Sequence, residues 1–474
     1  MVEMDVRTGG FKEGKKVPQY VAALSACLGA VAAGAVMGWL SNISEGLEDG
    51  DYNNIIIDDT GKSWIGSLMN IGAMIMCFPI GFICDKIGRK IAMLLLIIPF
   101  MLGWLIIIFA TNIEMLYAGR FITGLICGAF CISVPLYTSE IAQKEVRGAL
   151  GSYFQLLLTV GILFAYVMGY AVNPKTHTLI CACLPLLFGI IFFFQPESPV
   201  YCIKKGKLDE ARKSLIRLRG KDYDVEAEIK EITFMLEENN GTTIPFKESI
   251  KKTATKKAAI IAFGMMFFQQ LSGVNAVIVY TGDIFSAANS SLTSKEATMI
   301  VGTMQVLATF VSSLVIDKLG RKILMIGSDI FMAISAIMLG VYFTIQDTTE
   351  GIGFLPIFAM CLYIVVFSLG YGPIPWIISS EVFPAEIKTV ASSAAGTFNW
   401  FLAFIVTKFY FDLKVAIGND GTFYMFAGIS VIGTLFIIFF VPETKGKSFD
   451  EIQRILSGEK VHQSEGIENK GYST

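Results

Sequence analysis

The sequence predicts an all-α, polytopic membrane protein with twelve transmembrane helices in two six-helix pseudo-repeats, joined by a cytoplasmic helical linker. Hydrophobic residues occupy 54% of the 474 positions and charged residues only 16%, a composition that excludes an ordinary soluble protein. Apolar stretches recur at a length that crosses about 30 Å of hydrocarbon at 1.5 Å per residue. Short motifs also occur twice in the same order, which indicates a duplicated six-helix unit.

The apolar stretches place the spans in order along the chain. The predicted spans are 19–43, 63–84, 91–110, 115–138, 149–171, 177–195, 258–284, 296–316, 323–345, 353–379, 390–411 and 420–441. The interruption between the sixth and seventh spans has apolar residues at helical spacing, which predicts short amphipathic helices. We therefore expect an N-terminal tail (1–18), an N-terminal half (19–195), a helical loop (196–257), a C-terminal half (258–441) and a C-terminal tail (442–474).

The distribution of charge predicts the orientation in the membrane. The segment 45–59 has six Asp or Glu residues and no Lys or Arg, whereas 85–90, 144–147, 204–257 and 318–322 are rich in basic residues. Because basic loops stay in the cytoplasm, we expect both termini and the long loop there, in a multi-pass protein of the plasma membrane. The first 16 residues lack a signal-peptide pattern, so the first span is expected to remain as an anchor.

The residue inventory argues against several kinds of site. The nine cysteines lie almost all inside spans, and we interpret them as small buried hydrophobic residues rather than a disulfide framework. The two histidines, His177 and His462, stand apart from carboxylate and cysteine clusters. We expect no metal, no cofactor, no enzymatic nucleophile and base, no nucleic-acid partner, and a monomer in the lipid bilayer.

Three charged motifs occur once in each half. DKIGRK at 85–90 recurs as DKLGRK at 317–322, SEIAQKEVRG at 139–148 recurs as SEVFPAEIKT at 380–389, and PES at 196–198 recurs as PET at 442–444. A tight loop that fixes topology explains the basic residues, but it does not explain the acid present in both copies. We interpret the opposite charges as ion pairs that link the ends of neighbouring helices in a conformational latch.

These and other motifs carry a family resemblance over residues 19–450. GFICDKIGRK at 81–90, GRFITGLICG at 119–128, PESP at 196–199, QQLSGVNAVIVY at 269–280, GPIPWIISSEVFP at 372–384 and VPETKGKS at 441–448 have the order and spacing of one family. The chain resembles the sugar porters of the major facilitator superfamily. The resemblance implies that charged loop residues hold the cytoplasmic side closed, and those residues are Asp85, Arg89, Glu140, Arg147, Asp317, Arg321 and Glu381.

Polar side chains inside apolar spans mark the candidate sugar site. Amides both donate and accept hydrogen bonds, which suits sugar hydroxyls, and aromatic faces stack on pyranose rings. The predicted contacts are Gln155, Gln269, Gln270, Asn275, Gln305, Trp376, Asn399 and Trp400. The resemblance also implies that Tyr280 helps to close the outer side. The alternative is that the amides only hold the helices together.

Two spans are expected to be broken near these residues. Gln269 and Asn275 lie about 120° apart on a straight helix, and Gly273 between them allows span 7 to unwind. Pro373 and Pro375 remove two backbone donors and are expected to break span 10. Broken helices of this kind are typical of transporter binding sites.

Proton coupling would require a carboxylate inside the membrane. The resemblance implies that proton-coupled relatives pair an Asp in span 1 with the Arg of span 4, here Arg120, but span 1 of this chain has no carboxylate. Asp329 in span 9 is the other candidate, and we interpret it as lying near the cytoplasmic interface and pairing with basic residues or a helix terminus. The sequence therefore favours facilitated diffusion over proton symport.

The resemblance leaves the sugar open. The QQLSG stretch at 269–273 is similar to that of glucose-preferring members, which favours glucose and related hexoses. The loops and the SD pair at 328–329 are similar to those of facilitated trehalose transporters, which keeps trehalose as the alternative. A sugar sensor that keeps the fold is a further alternative. Asn289, in an Asn-x-Ser sequence of an outer loop, is the candidate glycosylation site.

Overall fold

The computed structural model describes residues 14–241, 246–288, 292–348, 351–384, 387–447 and 449–457. These residues form helices and connecting turns, with no β-strand among them. The all-helical prediction is therefore confirmed. The candidate glycosylation site, Asn289, lies outside the described residues.

The N-terminal half contains the first eight helices. They are α1 (Val17–Glu48), α2 (Asp59–Cys77), α3 (Pro79–Ile87), α4 (Arg89–Leu95), α5 (Ile97–Ile108), α6 (Ile113–Ile141), α7 (Lys144–Ala171) and α8 (Pro174–Phe193). Asp58 starts α2 because its side chain accepts the N–H of Gly61, and Asn112 starts α6 because its side chain accepts the N–H of Met115. Pro79 bends the second span because it has no N–H to continue the preceding helix.

The linker and the C-terminal half contain the remaining helices. The linker helices are α9 (Pro199–Lys204), α10 (Leu208–Arg219), α11 (Val225–Gly241) and α12 (Phe246–Lys251). The C-terminal half contains α13 (Thr253–Leu271), α14 (Val274–Val279), α15 (Thr281–Ala287), α16 (Ser294–Leu319), α17 (Arg321–Ile345), α18 (Leu355–Val366), a π-helix (Phe367–Tyr371), α19 (Ile374–Val382), α20 (Lys388–Phe440) and α21 (Phe449–Ser457).

The helices account for the predicted number of spans. Within the described residues, ten helices are long and apolar enough to cross a membrane, and α2 with α3, bent by 49°, gives an eleventh span. The segment Val390–Phe440 counts once among the ten, but it is interrupted at Gly418, where φ is 79° and ψ is 169°. It therefore supplies two spans, which brings the total to the predicted twelve.

Small residues bring helices of the N-terminal half close together. Gly161 of α7 lies against the backbone of Val31 in α1, and Gly124 of α6 lies against the backbone of Met69 in α2. A Cβ atom at either glycine would overlap a backbone carbonyl, so these approaches require glycine. Close backbone packing of this kind holds membrane helices together, because lipid provides no hydrophobic driving force between them.

The linker helices dock on the N-terminal half through Arg219 at the end of α10. Its guanidinium donates to the carbonyl of Ile141 at 2.8 Å and forms an ion pair with Glu228 at 2.7 Å. The N–H of Lys15 donates to the carbonyl of Arg219 at 2.8 Å. We call the side of the membrane domain that carries α9 to α12 the linker side, and the opposite side the far side.

Candidate functional site

Both predicted helix breaks are present. Span 7 breaks at Gly273, between α13 and α14, where φ is 95°, a conformation that glycine adopts without strain. Span 10 passes into the π-helix and restarts as α19 after Pro373. The breaks make main-chain groups available that an unbroken helix would use in its own hydrogen bonds.

The break in span 10 provides main-chain acceptors for Gln269 of α13. Its Nε2 donates to the carbonyl oxygens of Tyr371 at 2.7 Å and Gly372 at 2.9 Å. Pro375 has no N–H and cannot donate to the carbonyl of Tyr371, four residues earlier, so Gln269 supplies that donor. This amide therefore ties span 7 to span 10.

Four of the predicted amides form one chain of hydrogen bonds, which we call the amide chain. Asn275 donates to Gln270 at 2.5 Å, and Gln270 donates to Asn399 at 2.9 Å. Asn399 donates in turn to Oε1 of Gln269 at 2.8 Å. All four side chains are buried, and they join both parts of span 7 to span 11, which is the first part of α20.

The other predicted contacts are not members of the amide chain. Gln305 is buried on α16 and Gln155 is half-buried on α7, and neither is hydrogen-bonded to the four amides in the described part of the structure. Trp376 of α19 is 37% exposed beside Gly396. Trp400 packs against α2 in a small apolar cluster, so it lies between the two halves.

The far side is closed around Tyr280, which lies between α14 and α15. Its side chain is fully buried, its hydroxyl donates to the carbonyl of Thr407 at 2.9 Å, and its ring stacks on Tyr410 with centroids 5.3 Å apart. Gly66 of α2 lies against the Tyr280 hydroxyl so closely that a Cβ atom there would collide with it. Tyr280 of the C-terminal half thereby packs against α2 of the N-terminal half.

Further hydrogen bonds join the halves on this side. Asn70 of α2 donates to Oγ1 of Thr407 in α20 at 2.9 Å. The hydroxyl of Tyr166 in α7 donates to the carbonyl of Ile278 in α14 at 2.9 Å. Each bond connects the N-terminal half to the C-terminal half, so several independent contacts keep the far side closed.

A cluster of charges also lies on the far side, and we call it the far-side cluster. Lys62 of α2 forms ion pairs with Glu48 of α1, with Asp59 at 3.0 Å and with Asp283 of α15 at 3.0 Å. The hydroxyl of Ser44 donates to Asp283 at 3.0 Å. Sequence reasoning missed this cluster, although Lys62 directly follows the acidic segment 45–59, which has no basic residue.

The first charged motif forms a network that we call the N corner. Arg89 is 4% exposed and forms ion pairs with Asp85 at 2.9 Å and with Glu140 at 2.8 Å. Glu197, in the PES sequence, accepts the N–H of Arg89 at 3.0 Å and so caps α4, which has no cap from its own preceding residue. Ser198 also donates to Glu140. The repeated PES and PET sequences carried the signal for this site, but sequence reasoning assigned no helix cap to their glutamates.

The second copy of the motif forms the C corner. Arg321 and Glu381 are 3.8 Å apart, with side chains 15% and 28% exposed. Glu443, in the PET sequence, accepts the N–H groups of Arg321 at 3.0 Å and Lys322 at 3.1 Å. Burial alone would raise the pKa of Glu443, but these backbone hydrogen bonds stabilise the carboxylate and bring its pKa below the ordinary value. The side chain of Asp317 lies outside the described residues.

Arg147 forms no ion pair with Glu140 in the described part of the chain, so the network of charged loop residues does not include this pair. Its guanidinium donates to the carbonyl of Ala142 at 3.4 Å and forms no ion pair within the described ranges. The backbone is extended at Ala142 and Gln143, between α6 and α7. The side chains of Arg147 and Glu140 therefore have separate partners, the carbonyl of Ala142 for one and Arg89 for the other.

Charged contacts on the two sides differ in what they join. On the far side, Lys62 and Asp283 belong to different halves. On the linker side, the ion pairs of the N corner and of the C corner each lie within one half. The structure therefore represents a state in which the halves are held together on the far side.

Arg120, the basic residue of span 4, is fully buried without an acidic partner among the described residues. Its guanidinium donates to the carbonyl oxygens of Ile65 at 3.0 Å and Val36 at 2.7 Å, and it lies 5.4 Å from the ring centre of Trp39. Main-chain carbonyls of α1 and α2 therefore take the place of a carboxylate around this cation.

The interpretation of Asp329 as an interfacial residue with a basic partner is wrong. Asp329 of α17 is fully buried, and it forms no ion pair in the described part of the chain. Its Oδ2 accepts the hydroxyl of Thr434 at 3.2 Å, while Oδ1 has no hydrogen-bond partner there. The expectation failed because α20 packs against α17 and covers the face that carries this carboxylate.

Comparison with known sequences identifies one family. A family model described as "Sugar (and other) transporter" matches residues 19–456. A protein named "Facilitated trehalose transporter Tret1" from Anopheles gambiae is 38% identical over 456 residues, which cover 95% of this chain and 57% of that protein. The protein of the same name from Apis mellifera ligustica is 37% identical over 474 residues, which cover 98% of this chain and 94% of that protein. The chain thus spans little more than half the length of the mosquito relative.

Solved structures share the architecture. The xylose transporter XylE from E. coli, in a partially occluded inward open conformation, is similar with a TM-score of 0.77 at 22% sequence identity, over 91% of this chain and 100% of that chain. At this identity the likeness shows the fold alone. It confirms the predicted arrangement of twelve helices in two halves.

Proposed function

The chain belongs to the sugar transporter family, and we propose that it carries trehalose across the membrane by facilitated diffusion. Relatives at 37% and 38% identity are named facilitated trehalose transporters, which supports trehalose as the sugar. Glucose, which the QQLSG stretch favoured, has no such support among these relatives. The sequence alternative is therefore the better proposal for the substrate.

The surroundings of Arg120 carry the proposal of facilitated diffusion. A proton-driven carrier needs an acid that gains and loses its proton as the two halves move. Arg120 is instead satisfied by two main-chain carbonyls, which do not titrate. Asp329 lies in a contact between α17 and α20, where its carboxylate accepts the hydroxyl of Thr434, and we assign it no part in coupling.

The amide chain is the proposed centre of the sugar site. Its four side chains now satisfy one another, so a sugar hydroxyl would replace one amide partner by another of similar strength. Such an exchange favours recognition of hydroxyl positions without very tight binding, which suits release on the other side. Further contacts are proposed for Gln155, Gln305, Trp376 and Trp400.

Alternating access is the proposed mechanism. The amide chain spans both sides of the break at Gly273, so sugar bound there can influence α14 and α15 beyond the break. Tyr280, at the end of α14, is proposed to close the far side over the sugar. The N corner and the C corner are proposed to stabilise the linker side when it closes.

The linker side is proposed to face the cytoplasm, and the protein is proposed to act in the plasma membrane. The support is the excess of Lys and Arg in the loops of the linker side and their absence from segment 45–59. Glycosylation of Asn289 in cells would agree with this orientation. Glycosylation of Asn240, in the linker, would contradict it.

Uptake of labelled sugar by proteoliposomes tests the transport proposal. Labelled trehalose is expected to reach the outside concentration and no more, with or without a protonophore. Unlabelled trehalose is expected to compete better than glucose, fructose or galactose. Accumulation above equilibrium that a protonophore abolishes would contradict facilitated diffusion, and uptake of glucose without competition from trehalose would contradict the substrate.

A pair of variants tests the amide chain. Asn399→Ala is expected to weaken sugar binding about tenfold or more, because it removes two links of the chain. Asn42→Ala is the matched control, because this buried amide donates to the carbonyl of Tyr166 and lies outside the chain. Equal effects of the two variants would contradict the site. Intact binding without flux in the unchanged protein would favour the sugar sensor.

A further inference from the structure

Lys62 occupies an unusual position for a lysine near the end of a membrane helix. Its side chain is only 5% exposed, and its Nζ lies within ion-pair distance of three carboxylates. Two of them, Glu48 and Asp59, belong to the N-terminal half, as Lys62 itself does. The third, Asp283, comes from α15 of the C-terminal half, so one cation connects the two halves.

Asp283 is held mainly by residues of the opposite half. Its side chain is 12% exposed, it pairs with Lys62 at 3.0 Å, and Ser44 of α1 donates to both of its oxygens at 3.0 and 3.2 Å. Separation of the halves must break all of these contacts. Because the group is largely buried, the loss of its partners costs more than the loss of an exposed ion pair would.

The far-side cluster lies in the wall of a polar cavity of about 350 Å³. Glu45, Asp49, Lys295 and Lys414 also line this cavity, and the ring of Phe411 lies 4.9 Å from Nζ of Lys62. The cavity allows water to reach Asp283 as soon as the contact opens. The closed state therefore keeps its ion pair, and an opened state would replace it by hydration.

The element that carries Asp283 is suited to move. α14 and α15 have six and seven residues, and they follow the break at Gly273. Short helices beyond a glycine break can change direction without disturbing α13, because no continuous hydrogen-bond ladder connects them. Lys62 lies on the longer α2, which packs closely against α6. The ion pair thus joins α15, a short helix beyond a glycine break, to α2, a longer helix that packs closely against α6.

We propose that the ion pair between Lys62 and Asp283 forms, together with the contacts of Tyr280, the gate of the far side, where it holds α15 against α1 and α2 and controls how readily the far side opens. The proposal rests on the proposed function, because a gate has a role only in a protein that opens to both sides. A purely structural ion pair would instead stabilise the fold without changing access between the halves.

Labelling of a reporter cysteine measures access from the far side. Val279 of α14 is 1% exposed and lies against Gly66 of α2. Val279→Cys places a thiol between the halves and removes no side-chain hydrogen bond. A membrane-impermeant maleimide, applied to the far side of oriented vesicles, reaches this thiol only when the halves separate. The chain without the reporter gives the background from its native cysteines.

Gate variants are then compared in the reporter background. Lys62→Gln and Asp283→Asn are each expected to raise the labelling rate about tenfold, and the double variant is expected to match the faster single variant. Lys295→Gln, in the wall of the same cavity but outside the far-side cluster, is the matched control and is expected to leave the rate unchanged. Single variants without effect, or effects that multiply in the double variant, would overturn the gate.

Two features keep the test decisive. If Lys62→Gln does not reach the membrane, Asp283→Asn carries the test alone, because asparagine has a similar size and still accepts the hydroxyl of Ser44. The labelling needs no sugar. Absence of trehalose flux with a gate that responds to these variants would therefore refute the proposed function and leave the gate standing.

Discussion

The N corner and the C corner have the same backbone construction and different ion pairs. In both, a glycine with positive φ, 102° at Gly88 and 94° at Gly320, precedes a helix whose first N–H groups are capped by a distant glutamate. The ion pair between arginine and glutamate spans 2.8 Å in the N corner and 3.8 Å in the C corner. Duplication has thus kept the cap, which fixes where a helix starts, while the side-chain pairs have diverged.

The difference suggests unequal roles for the two corners. The arginine and glutamate of the N corner are 4% and 11% exposed, against 15% and 28% in the C corner. Ion pairs weaken as water reaches them, so the ion pair of the N corner resists separation more than the ion pair of the C corner does. We expect the N corner to move as a firm unit and the C corner to loosen first.

Neutralising the arginine of each corner is expected to give the largest contrast. Arg89→Gln leaves Glu140 buried beside Asp85 without its cation and is expected to lower the free energy of unfolding by about 3 kcal/mol. Arg321→Gln is expected to lower the free energy of unfolding by about 1 kcal/mol. Thermal unfolding in detergent measures both, and equal losses would remove the contrast. Arg89→Gln is also expected to lower transport rate more than equilibrium sugar binding.

Removing the caps is expected to have equal effects in the two corners. Glu197→Gln and Glu443→Gln each replace a carboxylate that accepts backbone N–H groups at a helix start. Each is expected to lower the free energy of unfolding by about 1 to 2 kcal/mol. The same unfolding assay compares the variants. A loss confined to one corner would show that the shared backbone construction hides different energetics.

Replacing arginine by lysine is expected to give a smaller contrast. Lysine keeps the charge but loses the planar fork, which at Arg89 bridges two carboxylates within 3 Å, whereas Arg321 and Glu381 are 3.8 Å apart. Arg89→Lys is therefore expected to lower the free energy of unfolding by about 1 kcal/mol more than Arg321→Lys does. Matching costs would indicate that charge, and not geometry, distinguishes the corners.

Acid titration is expected to give the smallest effect near neutral pH. The pKa of Glu443 is lower in the folded protein than its ordinary value of 4.5, because backbone N–H groups offset the cost of burial. Its contribution to stability is therefore complete above pH 4.5 and is lost as pH falls through the lowered pKa. The stability difference from Glu443→Gln should be constant between about pH 5.5 and 7.5. A difference that already shrinks at neutral pH would contradict the cap.

The helix breaks and the members of the amide chain could be predicted from the sequence because the signals for them are local. Gly273 and Pro375 act on their own backbone, and the amides of spans 7 and 11 are conspicuous in apolar surroundings. The sequence did not indicate that Gln269 and its neighbours would satisfy one another, since that depends on how three spans meet. The two readings of these amides, as helix contacts and as a sugar site, therefore apply to the same atoms.

Pairings between distant segments could not be predicted where no repeated motif marks both partners. Lys62 has acidic neighbours in sequence, whereas Asp283 has no charged residue within ten positions on either side, so nothing local marks the bond between them. Asp329 was assigned a basic partner from the position of its span, but its orientation depends on the packing of α17 against α20. Charge counts give the side of the membrane, whereas partners require the tertiary structure.

The bond between Gln269 and the carbonyl of Tyr371 has a genetic consequence. The acceptor is a main-chain atom, so no substitution at position 371 can delete it, and it needs a donor because Pro375 has none. Mutation of Pro375 to any residue with a backbone N–H would give the carbonyl of Tyr371 a helical donor. The amide N–H of Gln269 that now donates to this carbonyl would then lose its acceptor. We expect codons 269 and 375 to change together when the gene diverges.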